Sequence, residues 1–369
     1  MVGASGGRVF AARAELGPRD APVEGKSGVY LPRVAGARAA RELEPLRHEA
    51  EVMSLAACSS GPGEHWVAAA DAAGRATVAR FRGAGLWGAD AADDDAAGGP
   101  GPAPEPCGLY TLGPAAFGER GWTGVALHAA NPAWAVVARF FAKDATVYDG
   151  DFPVCTFRSD FRPKAVLFVP PEAFGGATTP VVALAGGAKL AFWDPRAGGG
   201  AAAKAVKRLD CPDDLGVLGW APPVPGLYGQ GVVAAAGAER CVNVWDPRRL
   251  GQVVTRWASA ARHPITALAF SSRRPLFCFV GSTDGDVRCG AWDLELRKRL
   301  QAEAGERPGE GEGGAPGPTG TQATPAPRGQ PGGFHFRGPA RWVGLAKADR
   351  VDVLAGVTAS HALVAAAAG

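Results

Sequence analysis

Apolar runs of six to eight residues, each followed by a cluster of turn-forming residues, recur along the chain. They read EVMSLAA at 51–57, GWTGVALH at 121–128, KAVLFV at 164–169, LGVLGWA at 215–221 and ITALAF at 265–270. The stretches that follow them, SSGPG, AANP, PPEAFGG, PPVPG and SSRRP, are rich in Gly, Pro, Asn and Ser, which supply the dihedrals tight turns need. Runs of this length are strands rather than helices, and amphipathic patterns of helical length are few. An all-β chain is predicted, and an alternating strand-helix architecture is disfavoured.

Each of these runs opens a longer unit whose second half is a hairpin, and in all but the first the hairpin ends in an aromatic-acid pair. The hairpins read PVVALAGGAKLAFWDPR at 180–196, GVVAAAGAERCVNVWDPR at 231–248 and LFCFVGSTDGDVRCGAWDLE at 276–295. Their pairs are Trp193-Asp194, Trp245-Asp246 and Trp292-Asp293, spaced by 52 and 47 residues. Upstream, WAVVARFFAKDATVYDG at 134–150 repeats the plan with Tyr148-Asp149, 45 residues before Trp193, and HWVAAADAAGRATVARF is a weaker copy. Downstream, RWVGLAKA, RVDVLAGV and SHALVAA make a degenerate unit without the pair. Such a period belongs to a four-stranded unit that cannot bury both of its faces alone, so successive units must stack. Alanine and glycine in VVAAAG and VVALAGG suit the crowded centre of a ring, and the large aromatics suit the wider gaps farther out.

On these hairpins the chain resembles the WD-repeat family over residues 45 to 366, most strongly over 180–295. The resemblance implies a single β-propeller of six or seven four-stranded blades. Blades of that family often hold a buried polar set, to which the fifth unit comes nearest with His263, Ser282, Asp284 and Trp292, whereas the other units lack most of it and their blades are expected to rely on packing. Asp284 stands two residues farther from the tryptophan than the family pattern, so either Asp286 replaces it or the strand bulges. Ring closure by an N-terminal strand is expected, with RELEPL at 41–46 completing the last blade. Residues 1–40, with GRVFAAR and GVYLPRV as two strands, then build a seventh blade or extend an edge. The stretches 83–106 and 301–333 are too poor in apolar residues to join a core and are predicted to be loops between blades.

Composition sets outer bounds. Thirty-nine basic and 36 acidic side chains leave a net charge of only +3, so no overall field favours nucleic acid or an anionic membrane. Seven cysteines without C-x-x-C spacing predict free thiols and a reducing compartment. No apolar run is long enough for a membrane helix, and the opening residues lack a signal-peptide core. A cytoplasmic or nuclear protein is predicted.

No constellation for chemistry emerges. Gly25-Lys26-Ser27 resembles the end of a phosphate loop, but the leading glycine would have to be Asp20. His48, His65, His128, His263, His335 and His361 are dispersed without metal-ligand spacing. No catalytic, metal-binding or cofactor-binding residues are assigned, and no cofactor is expected. The basic clusters at 204–208, 248–249, 273–274 and 297–299 lack interleaved aromatics, which disfavours nucleic acid as a partner.

The Trp-Asp-Pro-Arg tetrapeptides at 193–196 and 245–248 resemble the box of substrate receptors of cullin-four RING ubiquitin ligases. That resemblance, fuller at 232–248 where Glu239 supplies an acid that Ala188 does not, would direct Arg196 and Arg248 toward the ligase's adaptor protein. The expected function is a non-catalytic protein-protein interaction scaffold. The alternatives are such a receptor, a propeller of RNA or ribosome-assembly particles, and a hydrolase with its site at the channel mouth.

Overall fold

A computed structural model describes residues 48–61, 64–82, 106–113, 121–174, 180–197, 205–224, 228–271, 275–284 and 286–293, together with Leu46, Glu295 and Lys298. Backbone strands are also described at Val2–Ser5, Arg8–Ala14, Ser27–Leu31, Arg41–Glu42, Thr324–Pro325, Phe334–Arg337, Trp342–Lys347, Val353–Thr358 and Leu363–Ala367. Every strand pairing among them is antiparallel, and the strands fall into small sheets, each formed by consecutive segments of chain. Among the described residues no helix is long and apolar enough to cross a membrane.

Four strands, a to d from the innermost outward, make one blade. Blade 1 holds the first four strands, Val2–Ser5 to Arg41–Glu42. Blade 2 holds Val52–Gly61, Glu64–Asp71, Ala76–Arg82 and Gly108–Leu112. Blade 3 holds Thr123–Leu127, Trp134–Arg139, Asp144–Asp149 and Phe152–Arg158. Blades 4 and 5 form one continuous six-stranded sheet, because the extended run Lys207–Ala221 serves both. Its beginning pairs with Lys189–Phe192 and its end with Val232–Gly237, and the register shifts between Leu215 and Val217. The run Val181–Trp193 likewise supplies strands b and c of blade 4, turning at Gly187 with φ of 58°. Blade 6 runs from Ile265–Phe270 to Phe334–Arg337, and Trp342–Lys347, Val353–Thr358 and Leu363–Ala367 form a three-stranded blade 7.

The a strands of successive blades lie side by side, and Val2–Ser5 adjoins both Val52–Gly61 and Trp342–Lys347, which closes a ring of seven. The chain is an all-β propeller. Arg41–Glu42 pairs with Tyr30 and Leu31 of blade 1, not with blade 7, so the expected closure by residues 41–46 is corrected. Blade 1 has its own three preceding strands, and a fourth strand local in sequence pairs at lower loop-closure cost than one from the far end of the chain. Of the two predicted loops, 83–106 lies outside the described residues except Pro106, and 301–333 except Thr324–Pro325. That short strand pairs with Phe334–His335 at the sheet edge, a position to which proline in sheets is largely confined.

Blade stacking explains the alanine-rich spelling. In Val232–Ala236, residues 232, 234 and 236 face the gap to blade 6, while Val233 and Ala235 face the gap to blade 4. The same alternation splits Val181–Ala185 between blades 3 and 5, and in Trp66–Ala70 it turns residues 66, 68 and 70 toward blade 3 and Val67 and Ala69 away from it. A strand covered on both faces reads as continuously apolar, and small side chains let sheets approach near the axis. Farther out the gaps widen. Tyr148 plugs the gap to blade 2, Trp193 the gap to blade 3, Trp245 the gap to blade 4 and Trp292 the gap to blade 5. Trp193 packs on Phe157 and Phe161 at 6.0 and 6.5 Å between ring centroids, and Trp292 on Tyr228 and Phe270 at 5.0 and 6.2 Å.

Candidate functional site

A propeller presents two faces. The a–b and c–d turns lie on one, called the lower face below, and the b–c turns and blade crossovers lie on the other, the upper face. The aromatic-acid pairs end strand c and therefore place their acids at the lower face. In blades 4 and 5 the following Pro-Arg folds into a single turn of 3-10 helix, for which proline's fixed φ suits the first position. Asp194 accepts the backbone N–H of Arg196 at 2.9 Å, and its carboxylate takes Nε and Nη2 of the same arginine at 3.1 and 2.7 Å. Asp246 and Arg248 repeat this geometry at 2.9, 3.1 and 2.9 Å. The Arg196 hydrogen bonds hold the Asp194 carboxyl below the usual range. Burial pushes Asp246 upward, but its bonds to Arg248 outweigh this and leave it lowered. Both guanidinium groups are about half exposed, at 48% and 47% for the side chains, so each arginine sits at the surface as one arm of a pair with its own turn's aspartate.

The other two acids behave differently. Asp293 is buried and accepts the Tyr228 hydroxyl at 2.7 Å, which ties the a–b loop of blade 5 to blade 6. Burial and the adjoining Asp293 push the Tyr228 phenol above its usual range. Asp149 is exposed in the tight turn to Phe152, with Gly150 at φ of 61°, and builds no such clamp.

Exposed large apolar side chains are concentrated on the same side. Among the described residues, six of the seven (Leu109, Phe152, Val154, Val206, Val253 and Val254) stand at the beginning of strand d or just before it, in blades 2 to 5. Phe152, 73% exposed, is the most open of them. Each lies where the chain leaves the c–d turn, so the lower rim of four successive blades carries apolar groups, joined in blades 4 and 5 by Arg196 and Arg248.

The polar set predicted for the fifth sequence unit assembles only in part, in blade 6. Ser282 donates to Asp284 at 2.5 Å, and His263 lies 3.7 Å from Asp284 with its side chain 55% exposed. Asp284 meets the serine, and the strand pairing shifts register between Ile265 and Ala267. Trp292 stands apart from the set, because its indole N–H donates to the Pro275 carbonyl at 2.7 Å. The buried version occurs in blade 2, where the sequence did not disclose it. There His48 Nδ1 meets Asp71 at 3.0 Å with both side chains 4% exposed, and Asp71 also accepts the backbone N–H of Ala73 and Arg75 at 2.9 and 3.1 Å. The signal was a histidine four residues before strand a and an acid closing strand b. The irregular spacing of the first unit hid both.

Position in the strand explains the set. The last residue of strand b faces the first of strand a, in the pairs Val52–Asp71, Thr123–Arg139, Leu215–Gly237 and Ile265–Ser282. In blade 5 the crossover backbone packs so tightly there that a Cβ on Gly237 would lie 1.9 Å from the Asp214 carbonyl oxygen. In blades 2, 3 and 6 a polar side chain stands there instead and bonds the turn. Arg139, for example, makes a bidentate pair with Asp144 at 2.7 and 3.0 Å.

A cleft of about 230 Å³ between blades 3 and 4 is lined by Asp160, Lys189, Arg208 and Asp210. Lys189 holds Asp160 at 2.7 Å and lowers its pKa. Among the described residues no three His, Cys, Asp or Glu side chains converge as a metal site. No protein-family model matches the chain, and no curated protein matches it in sequence.

Proposed function

We propose that this propeller is of the WD-repeat type and works as a non-catalytic scaffold that docks other proteins along its lower rim. The carrying observation is the concentration of exposed apolar side chains at the start of strand d in blades 2 to 5. Single exposed apolar residues are ordinary, but a rim that repeats them blade after blade beside half-exposed arginines has the composition of a docking surface. The blades hold these groups on a rigid frame, so little ordering entropy opposes binding. Affinity capture with the full chain, compared with a Phe152→Asp, Val254→Asp variant that keeps its unfolding temperature, tests the reading. Loss of the captured proteins supports it, and an unchanged set overturns it.

Within this reading, the identical turns at Arg196 and Arg248 support a receptor role toward the adaptor of cullin-four RING ubiquitin ligases. Each guanidinium already binds an aspartate of its own turn, so an adaptor carboxylate has to share or displace that partner. Capture of the purified adaptor by wild type but not by the Arg196→Ala, Arg248→Ala variant supports this role. Equal capture by both removes it.

A further inference from the structure

The upper face of blade 3 carries a second feature, distinct from the lower rim. Its b–c turn, Arg139 to Asp144, and its crossover to blade 4, Arg158 to Lys164, are tied together by the Asp144–Arg158 register pair and by the Ser159 N–H donating to the Lys143 carbonyl at 2.7 Å. Nine charged side chains of the face are thereby brought near one another, and three ion pairs take up Asp144, Asp160 and Asp214. Arg139 takes Asp144 at 2.7 Å, Lys189 takes Asp160 at 2.7 Å, and Lys164 takes Asp214 across the blade boundary at 2.8 Å. Lys143, Arg158 and Arg162 are exposed and, among the described residues, pair with no carboxylate. The whole chain carries only +3, so this local surplus is as large as the net charge of the protein.

Aromatic surface lies within the same patch. The Arg162 guanidinium stands 5.3 Å from the ring centre of Phe140 and 5.7 Å from that of Phe141, and the two rings meet edge to face at 5.1 Å. Phe141 is 41% exposed, the one large apolar side chain described as exposed away from the lower rim. Its ring lies over Gly121, where a Cβ would sit 2.3 Å away, so the phenyl plane is held in place while one side faces solvent. Lys143 holds a left-handed conformation with φ of 54°, which suits glycine better than lysine, yet a cation occupies the tip of the turn.

From this juxtaposition we infer that the upper face of blade 3 binds single-stranded nucleic acid, with Lys143, Arg158 and Arg162 on phosphates and with Phe141 and the Arg162 plane as a stacking platform for a base. Unpaired cations alone fit any polyanion, including an acidic peptide. A fixed aromatic plane beside a guanidinium plane favours a ligand that has both backbone anions and flat bases. Double-stranded helices keep their bases stacked inside and offer nothing to such a platform.

The experiment titrates the full chain with a fluorescein-labelled oligouridylate of about 20 nucleotides, long enough to cover one site, and follows fluorescence anisotropy. Three phosphate contacts predict a log-log salt slope of about −2, a loss of roughly 20-fold between about 50 and about 200 mM salt. Lys143→Gln with Arg158→Gln should lower that slope by about 1.4. Phe141→Ala should weaken binding by at least about fivefold with the slope unchanged. These results together support the site. Absence of binding at the lowest salt, or binding unaltered by both variants, overturns it. Equal affinity for a poly-glutamate peptide, with Phe141→Ala silent, overturns it in favour of an acidic protein ligand. The double charge variant lies wholly on the surface and tests the site even if Phe141→Ala perturbs folding.

Discussion

Replacing Asp71 in blade 2 with alanine removes the acceptor for three hydrogen bonds at one buried point. The carboxylate receives His48 at 3.0 Å and the backbone N–H groups of Ala73 and Arg75 at 2.9 and 3.1 Å. A net hydrogen bond contributes about 1 kcal/mol, and one to a charged group about 1.5 to 3 kcal/mol, with a further cost when the abandoned partner stays buried. The buried His48 Nε2 has no partner among the described residues, so the histidine would lose the one ring contact described for it. Because Ala73 and Arg75 lie where water can reach the turn, the lower values suit their N–H groups. The sum is a loss of about 3 to 5 kcal/mol, a large part of the stability of a typical domain. Asp71→Asn should cost only about 1 kcal/mol. Its carbonyl still accepts both backbone N–H groups, and its amide can donate to Nδ1 of a histidine protonated on Nε2. Urea unfolding followed by tryptophan fluorescence measures both, with the midpoint falling at constant slope. If Asp71→Ala costs less than about 1 kcal/mol, or the asparagine variant costs as much as alanine, the His48–Asp71 pair is not the support that its geometry implies.

Three further outcomes follow from the same packing. Trp292→Phe should destabilise by about 1 kcal/mol more than Trp193→Phe in denaturant titrations, because Trp292 donates to Pro275 whereas the buried Trp193 indole N–H has no partner among the described residues. Burial raises the pKa of Asp213, so its ionised form is penalised in the folded state. That penalty is absent at acid pH below the ordinary carboxylate range and complete above the raised value. Asp213→Asn, which retains an acceptor for the Glu239 N–H, should therefore stabilise by roughly 1 kcal/mol at pH 7 and progressively less as the pH falls through that window, as read by unfolding at both ends. Burial pushes the Cys155 and Cys211 thiols up to about 11, and peptide mapping after a thiol reagent should find exposed Cys107 modified first and these two only after denaturation.

The sequence alone determined the strand period, the all-β class and the aromatic plugs, because a blade buried on both faces has to spell its inner strands with small apolar residues and its outer gaps with Trp or Tyr. Of the set expected in the fifth unit from the family resemblance, Ser282 meets Asp284 while His263 stands 3.7 Å from the acid and half exposed. What repetition could not reveal was decided by contacts between segments far apart in sequence or placed differently from their counterparts. Asp71 finds His48 across 23 residues, Asp293 finds Tyr228 across 65, and Lys164 finds Asp214 across 50. The fate of Arg196 and Arg248 was also structural, since only the 3-10 turn brings each guanidinium back onto its own aspartate. The cations at 143, 158 and 162 look unexceptional along the chain. Only the pairing of strands c and d in blade 3, together with the cations that pair Asp144, Asp160 and Asp214, leaves them as a surplus beside Phe141. Side-chain periodicity is a property of local backbone geometry and so is written locally, whereas charge balance at a surface depends on which partners the ring brings within reach.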